Sequence, residues 1–428
     1  MIRKVKAEIL GHSNFFKVTF LSSISSGLKI VASFIVGKLM SIYIGPNGFA
    51  ISGQLNNFLS ILHAFGSAGV NLGLTKYVSE NENNESQRNK YVQSTFWLMF
   101  LFTFISSFAL IIFSSTVSIV ITKSPSNYIY IVFLGFAMFF YNAGQIFLAI
   151  VNGYKHFKSY VFINIIITIF SFLFSIGLIY WLGLNGVIIS IIANLFLYFL
   201  VVLPFVKKAG WFTLKSILPK YNKYEVRKLF SYSLMFLFSS SVIPIVQILL
   251  RSHLIARFSI TDAGLWEALN RISQIPVLIL TTAFSTYYLP SLAQIKTREL
   301  MQIEVKKTIR IIFAISGIVL MVIYFLRSHL ILLVFSDSFS VLNNLLLFQL
   351  LGDFFRMLSF VFAFVLLAKA QTSYFVFAEL IFGITFYLTS LFFLNIFGLI
   401  GITYSYFISY VFYFIIVLLF FKKCKINE

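Results

Sequence analysis

The sequence predicts an all-α, polytopic membrane protein of about twelve transmembrane helices in two six-helix lobes. Three observations carry this reading. Of 428 residues, 59% are hydrophobic and only 11% are charged, with a mean hydropathy of +0.93. A soluble domain carries about 25% charge. Apolar runs of about 20 residues, the length that crosses a bilayer, recur along the chain. These runs are continuous rather than alternating, as in Ile163–Ile179 and Phe407–Phe421. Hydrocarbon offers backbone N–H and C=O groups no partner, so the spans must be helices or a closed barrel, and continuous runs mean helices.

In order, the spans read as 17–44, 49–78, 92–122, 127–153, 159–182, 185–206, 228–256, 262–291, 308–335, 341–369, 372–394 and 398–421. The first begins near Val18, has no small-residue cleavage site and is too long for a signal-peptide core, so it reads as a retained span. Short cytoplasmic loops collect Lys and Arg. With the N-terminus inside, Arg3, Lys4, Lys6 and Lys17 fall inside, as do Lys76, Arg88 and Lys90, then Lys155 and Lys158. Lys207, Lys208, Lys215, Lys220, Lys223, Arg227 and Lys228 crowd the central linker. Lys296, Arg298, Lys306, Lys307, Arg310, Lys369, Lys422, Lys423 and Lys425 complete the inside set, while the opposite loops hold Lys123, Arg257 and Arg327. The bias alternates, so both termini are expected in the cytoplasm.

The linker defines the organisation: an N-terminal lobe (1–206), a basic cytoplasmic linker (207–227), a C-terminal lobe (228–421) and a tail (422–428). Six is even, so both lobes enter the membrane in the same sense, as parallel repeats. A faint internal match supports this: Gly48-Phe49 opens the second span and Gly264-Leu265 the eighth, 216 residues later. The formal charge of +20 invites a nucleic-acid reading, but the basic residues are spread between spans. The single cysteine, Cys424, excludes a disulfide framework or a cysteine metal cluster.

Spans five, six, eleven and twelve are almost wholly apolar, as lipid-facing helices can be. Spans one, two, seven, eight and ten are not. In span two, Asn56, Ser60, His63, Ser67 and Asn71 recur on one helical face. Ser22, Ser25, Ser26, Lys29 and Ser33 do so in span one. Span seven contributes Ser240, Pro244, Gln247 and Arg251, and span eight contributes Glu267, Asn270, Arg271, Gln274, Thr281 and Ser285. Isolated Ser or Asn often only glues helices together; whole stripes on corresponding spans of both halves point to a polar cavity between two lobes.

Ionisable groups inside the membrane are a sharper signal, each costing about 2.5–3.5 kcal/mol or more at the centre. Glu267 and Arg271 are spaced i,i+4, and Asp353 and Arg356 i,i+3, so each pair can neutralise itself. Lys29 and Arg251 have no acidic neighbour on their own helix and read as functional cations. Lys38, near the periplasmic end of its span, is equally explained by snorkelling. His63 reads as a cavity-wall residue rather than a metal ligand, since no second His stands at ligand spacing. Glu379, in the apolar eleventh span, is expected to face the bundle interior beside an unnamed partner. There is no P-loop, no G-x-S-x-G and no H-E-x-x-H. The chain therefore reads as a secondary transporter, not an enzyme, needing no cofactor or metal.

Three stretches resemble the Wzx-type lipid-linked oligosaccharide flippases, the polysaccharide-transporter branch of the MOP superfamily that includes MATE- and MurJ-like proteins. They are GKLMSIYIGPNGFAISGQLNNFLSIL with GLTKYV (37–78), LWEALNRIS with STYYLPSLAQI (265–295), and VFSDSF with FQLLGDFFRMLSFVFAFVLLAKA and AEL (334–380). The resemblance is nearest to the O-antigen and enterobacterial-common-antigen flippases and covers essentially the whole chain. It implies a bacterial inner-membrane protein whose two lobes alternate access to a V-shaped cavity. The implied substrate is an undecaprenyl-diphosphate-linked sugar repeat unit, moved to the periplasmic leaflet. Inner-membrane lipids, a polysaccharide polymerase and a chain-length regulator are the implied partners, with no nucleic acid. Lys38, Lys76, Arg251, Asp353 and Lys369 stand where the common-antigen branch has the same residue types, and the chain departs from it at Glu267 and Arg271.

A diphosphate head crossing a low-dielectric layer needs cations. Lys29, Arg251, Arg271 and Arg356 are the candidates, with Lys38 at the rim. Asn56, His63, Asn71 and Glu267 would meet the glycan, and Asp353 and Glu379 are candidates for a coupling proton or sodium ion. The rival readings are a multidrug or cation antiporter, which should carry net acidic or aromatic cavity spans, and a glycan polymerase, which needs a large periplasmic loop.

Overall fold

The computed structural model describes residues 24–81, 84–154, 156–207, 217–369 and 371–424. The expected start of the first span with Lys17 and Ser22, the linker stretch 208–216, Lys155 and Lys425 lie outside these. Within them the chain is helical and contains no strand. The helices are α1 (Ile24–Tyr43), α2 (Pro46–Gly66), α3 (Asn71–Glu80), α4 (Glu85–Ile112), α5 (Ser114–Thr122), α6 (Tyr128–Gly153) and α7 (Phe157–Lys207). There follow α8 (Lys223–Arg257), α9 (Ile260–Ala283), α10 (Leu289–Gln294), α11 (Arg298–Phe325), α12 (Arg327–Val334), α13 (Leu342–Ala368), α14 (Thr372–Phe397) and α15 (Ile400–Lys423).

Among the described residues, eight helices are long and apolar enough to cross a membrane. They are α1, α4, α6, α7, α11, α13, α14 and α15; α7 alone runs through two expected spans. Below that threshold fall α2, α3, α8 and α9, which carry the polar stripes of spans two, seven and eight, and the short α5, α10 and α12; α1, with the stripe of span one, lies above it. The protein is thus an all-α, multi-pass membrane protein.

Several expected spans are broken in the structure. Span two (49–78) is not one helix: α2 ends at Gly66, the chain turns through Ala68 (φ 49°) and Gly69 (φ 63°), and α3 starts at Asn71. The stripe from Asn56 to Asn71 therefore does not lie on one continuous face, because left-handed residues cannot extend a helix. Span three breaks at Phe113 and span nine at Leu326. Span eight passes through a π-helical turn at Phe284–Tyr288. Spans five and six meet at Gly183 (φ 57°, ψ −126°), and α14 and α15 meet at Gly398 (φ 63°), conformations for which glycine is the natural residue.

The chain forms two compact units. One comprises Met1–Tyr43 and Leu59–Leu237, the other Ile44–Phe58 and Phe238–Glu428. In the first, α6 packs against α3, α4 and α7 over a core that includes Leu74, Phe96, Met99, Ile146, Phe147 and Val202. Asn84 caps α4 by accepting from Gln87 N at 3.1 Å. In the second, α13 packs against α9, α11 and α15, and α14 lies against α15. The first half of α2 belongs to this second unit. Phe49 anchors it there, its buried ring 5.4 Å from that of Phe335 and 5.2 Å from that of Phe339.

Candidate functional site

In the second unit, α8 and α9 bring Arg251, Glu267 and Arg271 together with the first half of α2. Arg251 is fully buried. Its Nη2 donates to Glu267 Oε2 at 2.5 Å, its Nη1 donates to Gln54 Oε1 at 3.2 Å, and its guanidinium lies 5.3 Å from the ring centre of Trp266. Glu267 Oε1 accepts from Arg271 Nε at 3.3 Å. Arg271 Nη2 reaches Ser52 Oγ at 2.8 Å, and its guanidinium lies 4.7 Å from the Phe49 ring centre. Gln54 Nε2 donates onward to Ser252 Oγ at 3.0 Å. Gly53 makes room for this arrangement, since a Cβ there would run into the Glu267 carboxylate.

The expected Glu267–Arg271 pair is present, and Arg251, which has no acidic neighbour on its own helix, finds one in Glu267. The partner comes from the next helix, which spacing along a single helix could not reveal. Two guanidiniums share one carboxylate, so the cluster is net cationic. A fully buried guanidinium demands a carboxylate, and α9 supplies it. Exposure separates the two arginines: the Arg251 side chain is 0% exposed, that of Arg271 26%.

A second polar network in the same unit joins α9, α13, α14 and α15. Asp353 is fully buried and accepts from Ser273 Oγ at 2.6 Å and from Tyr406 OH at 2.8 Å. Ser273 accepts in turn from Gln349 Nε2 at 3.1 Å. Arg356 does not ion-pair directly with Asp353, as the i,i+3 spacing suggested. Its Nη1 donates to Tyr406 OH at 3.2 Å, so one phenol sits between the two charges, and its guanidinium lies 5.6 Å from the Tyr410 ring centre. Glu379 accepts from Tyr413 OH at 2.7 Å, which supplies the unnamed partner.

In the first unit, His63 Nδ1 lies 2.9 Å from Asn142 Oδ1. Asn71 begins α3, and its Oδ1 is buried without a partner. Lys29 is exposed on α1 with no hydrogen bond or ion pair among the described residues, and Lys38 is half-buried there. Asn56, exposed on α2 in the second unit, donates to Ser52 Oγ at 3.3 Å. Lys29, His63 and Asn71 therefore lie in one unit and Asn56, Arg251, Glu267, Arg271, Asp353, Arg356 and Glu379 in the other. Sequence reasoning missed Gln54, Ser273, Asn142, Tyr406 and Tyr413, all uncharged and in or beside apolar runs. A polar residue in hydrocarbon needs a partner, and that requirement is the one signal that could have flagged them.

The chain is 24% identical, over 373 residues, to the lipid III flippases of Escherichia coli (strain K12) and of Shigella flexneri, with 85% of this chain and 87% of each relative covered. Among solved structures it is similar to an inward-facing multidrug resistance MATE family transporter of the MOP superfamily, at TM-score 0.75 and 13% identity, over 92% of this chain and 95% of that one. It is also similar to the inward closed conformation of the lipid II flippase MurJ, at TM-score 0.71 and 14% identity, over 94% of this chain and 87% of that one. These likenesses establish the fold. A family model described as polysaccharide biosynthesis protein matches residues 19–343, well over half of the sequence, and the chain belongs to that family.

Proposed function

We propose that this protein is a flippase of the bacterial inner membrane that moves an undecaprenyl-diphosphate-linked oligosaccharide repeat unit from the cytoplasmic to the periplasmic leaflet. It is a secondary transporter working by alternating access between two six-helix lobes, with both termini in the cytoplasm. The lipid III flippase relatives support this reading along most of the chain, as does the MurJ-like fold. The observation that carries it is the net-cationic cluster of Arg251, Glu267 and Arg271. A diphosphate cannot enter an apolar layer uncompensated, and guanidinium matches phosphate geometry in a bidentate way.

Arg271, with a quarter of its side chain exposed, is the group that contacts the phosphates; buried Arg251 holds Glu267, which aims Arg271. Exposed Lys29 supplies a second cation, with Lys38 nearer the rim. Asn56, His63 and Asn71 offer hydrogen bonds to sugar hydroxyls. Asp353 is the candidate site for a coupling proton or sodium ion, with Glu379 a second carboxylate in the same unit. A polysaccharide polymerase and a chain-length regulator are the natural partners of such an exporter. The MATE likeness favours a second reading, a multidrug or cation antiporter, but a cationic drug would be repelled by two arginines sharing one carboxylate.

The test is expression in a strain lacking its own flippase. Restored surface polysaccharide, with no build-up of the lipid-linked unit on the cytoplasmic side, is the expected result. Drug resistance without glycan delivery would overturn the flippase reading in favour of the antiporter.

A further inference from the structure

His63 lies in the last turn of α2, where the chain is about to leave the helix through left-handed Ala68 and Gly69. Its Nδ1 is 2.9 Å from Asn142 Oδ1. Asn142 donates through Nδ2 to Thr103 Oγ1 at 3.0 Å, and Thr103 donates to the backbone carbonyl of Gly66 at 2.9 Å. The chain of bonds thus returns to the end of the helix it started from.

Its direction is forced. A carbonyl oxygen only accepts, so the single hydroxyl proton of Thr103 is committed to Gly66. Thr103 Oγ1 is then left as an acceptor and must face the NH2 of Asn142. The amide oxygen of Asn142 consequently faces His63, and because it too only accepts, His63 Nδ1 must carry a proton. In the neutral ring the basic nitrogen is therefore Nε2, and no hydrogen bond engages Nε2 among the described residues. Gly66 is part of the device, since a Cβ there would run into Asn142 Nδ2 and dislodge the amide.

Two physical features suit Nε2 to taking up a proton. The bond from Nδ1–H to Asn142 is the same in the neutral and the doubly protonated ring, so the network need not rearrange. The carboxyl end of α2 also presents the negative end of the helix dipole, which favours a cation in the last turn. Helices broken within a membrane present such ends to bound cations. The titratable groups facing the ring are phenols: Tyr141, with its ring centre 5.0 Å away, and behind it Tyr198, 5.3 Å from Tyr141. Both are uncharged near neutral pH. Asn142 on α6 and Thr103 on α4 carry no charge, and no Lys, Arg, Asp or Glu bonds to His63 among the described residues.

We propose that His63 holds one transported proton at Nε2, making a coupling site in the first unit separate from the Asp353 site in the second. Only the cargo driven by that proton rests on the flippase reading. The proton comes from water on one side of the membrane and leaves to water on the other, so nothing else is consumed.

The test has two arms on the purified full chain. In 15N-histidine-labelled protein in lipid bilayers, comparison with His63→Gln assigns the His63 signal among the five histidines. The neutral Nδ1–H tautomer is expected at alkaline pH, becoming doubly protonated as the pH falls. In the second arm, proteoliposomes are given lipid-linked glycan with or without an imposed proton gradient. The wild type should flip several-fold faster with the gradient. His63→Gln, whatever its rate, should show the same rate with and without it. Asn142→Leu, which frees the tautomer, should displace the pH midpoint of the wild-type response. An Nε2–H neutral tautomer, a ring that takes up no second proton at any pH at which the protein stays folded, or a gradient response surviving in His63→Gln would overturn the proposal. A wild type that moves no glycan would overturn the flippase reading instead, and the tautomer arm would still decide the proton site.

Discussion

Arg251 and Glu267 meet across two helices, Nη2 to Oε2 at 2.5 Å, with side chains 0% and 13% exposed. Removing Glu267 leaves Arg251 buried and uncompensated, whereas removing Arg251 leaves Glu267 with Arg271 as its remaining partner. Glu267→Gln should destabilise the protein by about 3–5 kcal/mol, and Arg251→Ala by less. The double replacement Arg251→Met with Glu267→Leu should recover most of the Glu267→Gln loss, since the fully buried guanidinium goes with its carboxylate and the partly exposed Arg271 keeps access to solvent. Thermal unfolding in detergent, with membrane abundance measured alongside, is the check. A Glu267→Gln protein as stable as wild type would mean that the pair does not form.

Arg271 should behave differently. Its side chain is partly exposed, and Arg251 still balances Glu267 when it is lost. Arg271→Ala is expected to accumulate normally in the membrane but to lose at least tenfold in glycan export. Arg271→Lys should recover only part of the export, because ammonium cannot reproduce bidentate contact with phosphate. Surface polysaccharide per unit of membrane protein is the measurement.

Tyr406 is the single group placed between Asp353 and Arg356. Tyr406→Phe removes a hydrogen bond from each and should cost about 1–3 kcal/mol, since both partners are left underbonded in a dry interior. A charge swap, Asp353→Arg with Arg356→Asp, should fail to restore the fold, because the bridging phenol and Ser273 are placed for a carboxylate at 353. Asp353→Asn should insert and fold but lose transport that depends on an ion gradient. Full gradient-driven export by that variant would remove Asp353 from the coupling role.

Topology can be read with reporter fusions. Alkaline phosphatase joined after Val206 or Lys425 should be inactive, and within 45–48 or 183–185 it should be active. Activity at the central linker would contradict the assignment of both termini to the cytoplasm.

How much of this was legible in the sequence depends on the physics involved. Bilayer solvation acts on every residue of a run, so the apolar helices and the all-α class could be read directly. The family could be read as well, from ordered motifs spread along the whole chain. The break after Gly66 was missed because the polar stripe has the same periodicity on either side of it, and a single non-glycine residue with positive φ, Ala68, leaves no compositional mark. Charges were found readily, but their pairings were not. Spacing along one helix suggested Asp353 with Arg356 and left Arg251 alone, whereas tertiary packing placed Tyr406 in the first case and Glu267 in the second. Periodicity reports which face a residue occupies, not which neighbouring helix covers it.

The assignment of the first half of α2 to the second unit also sets a timetable for biosynthesis. Gln54 bonds Arg251 across a separation of 197 residues. At about 5–20 residues per second, translation leaves Gln54 waiting roughly 10–40 s for that partner to emerge. Through that interval the nascent helix must keep a buried-to-be amide and the backbone hollow at Gly53 in reserve. The first half of α2 therefore cannot reach its final packing before the ribosome is well into the second half of the message. Polypeptides cut at the linker should mature only when both are made together.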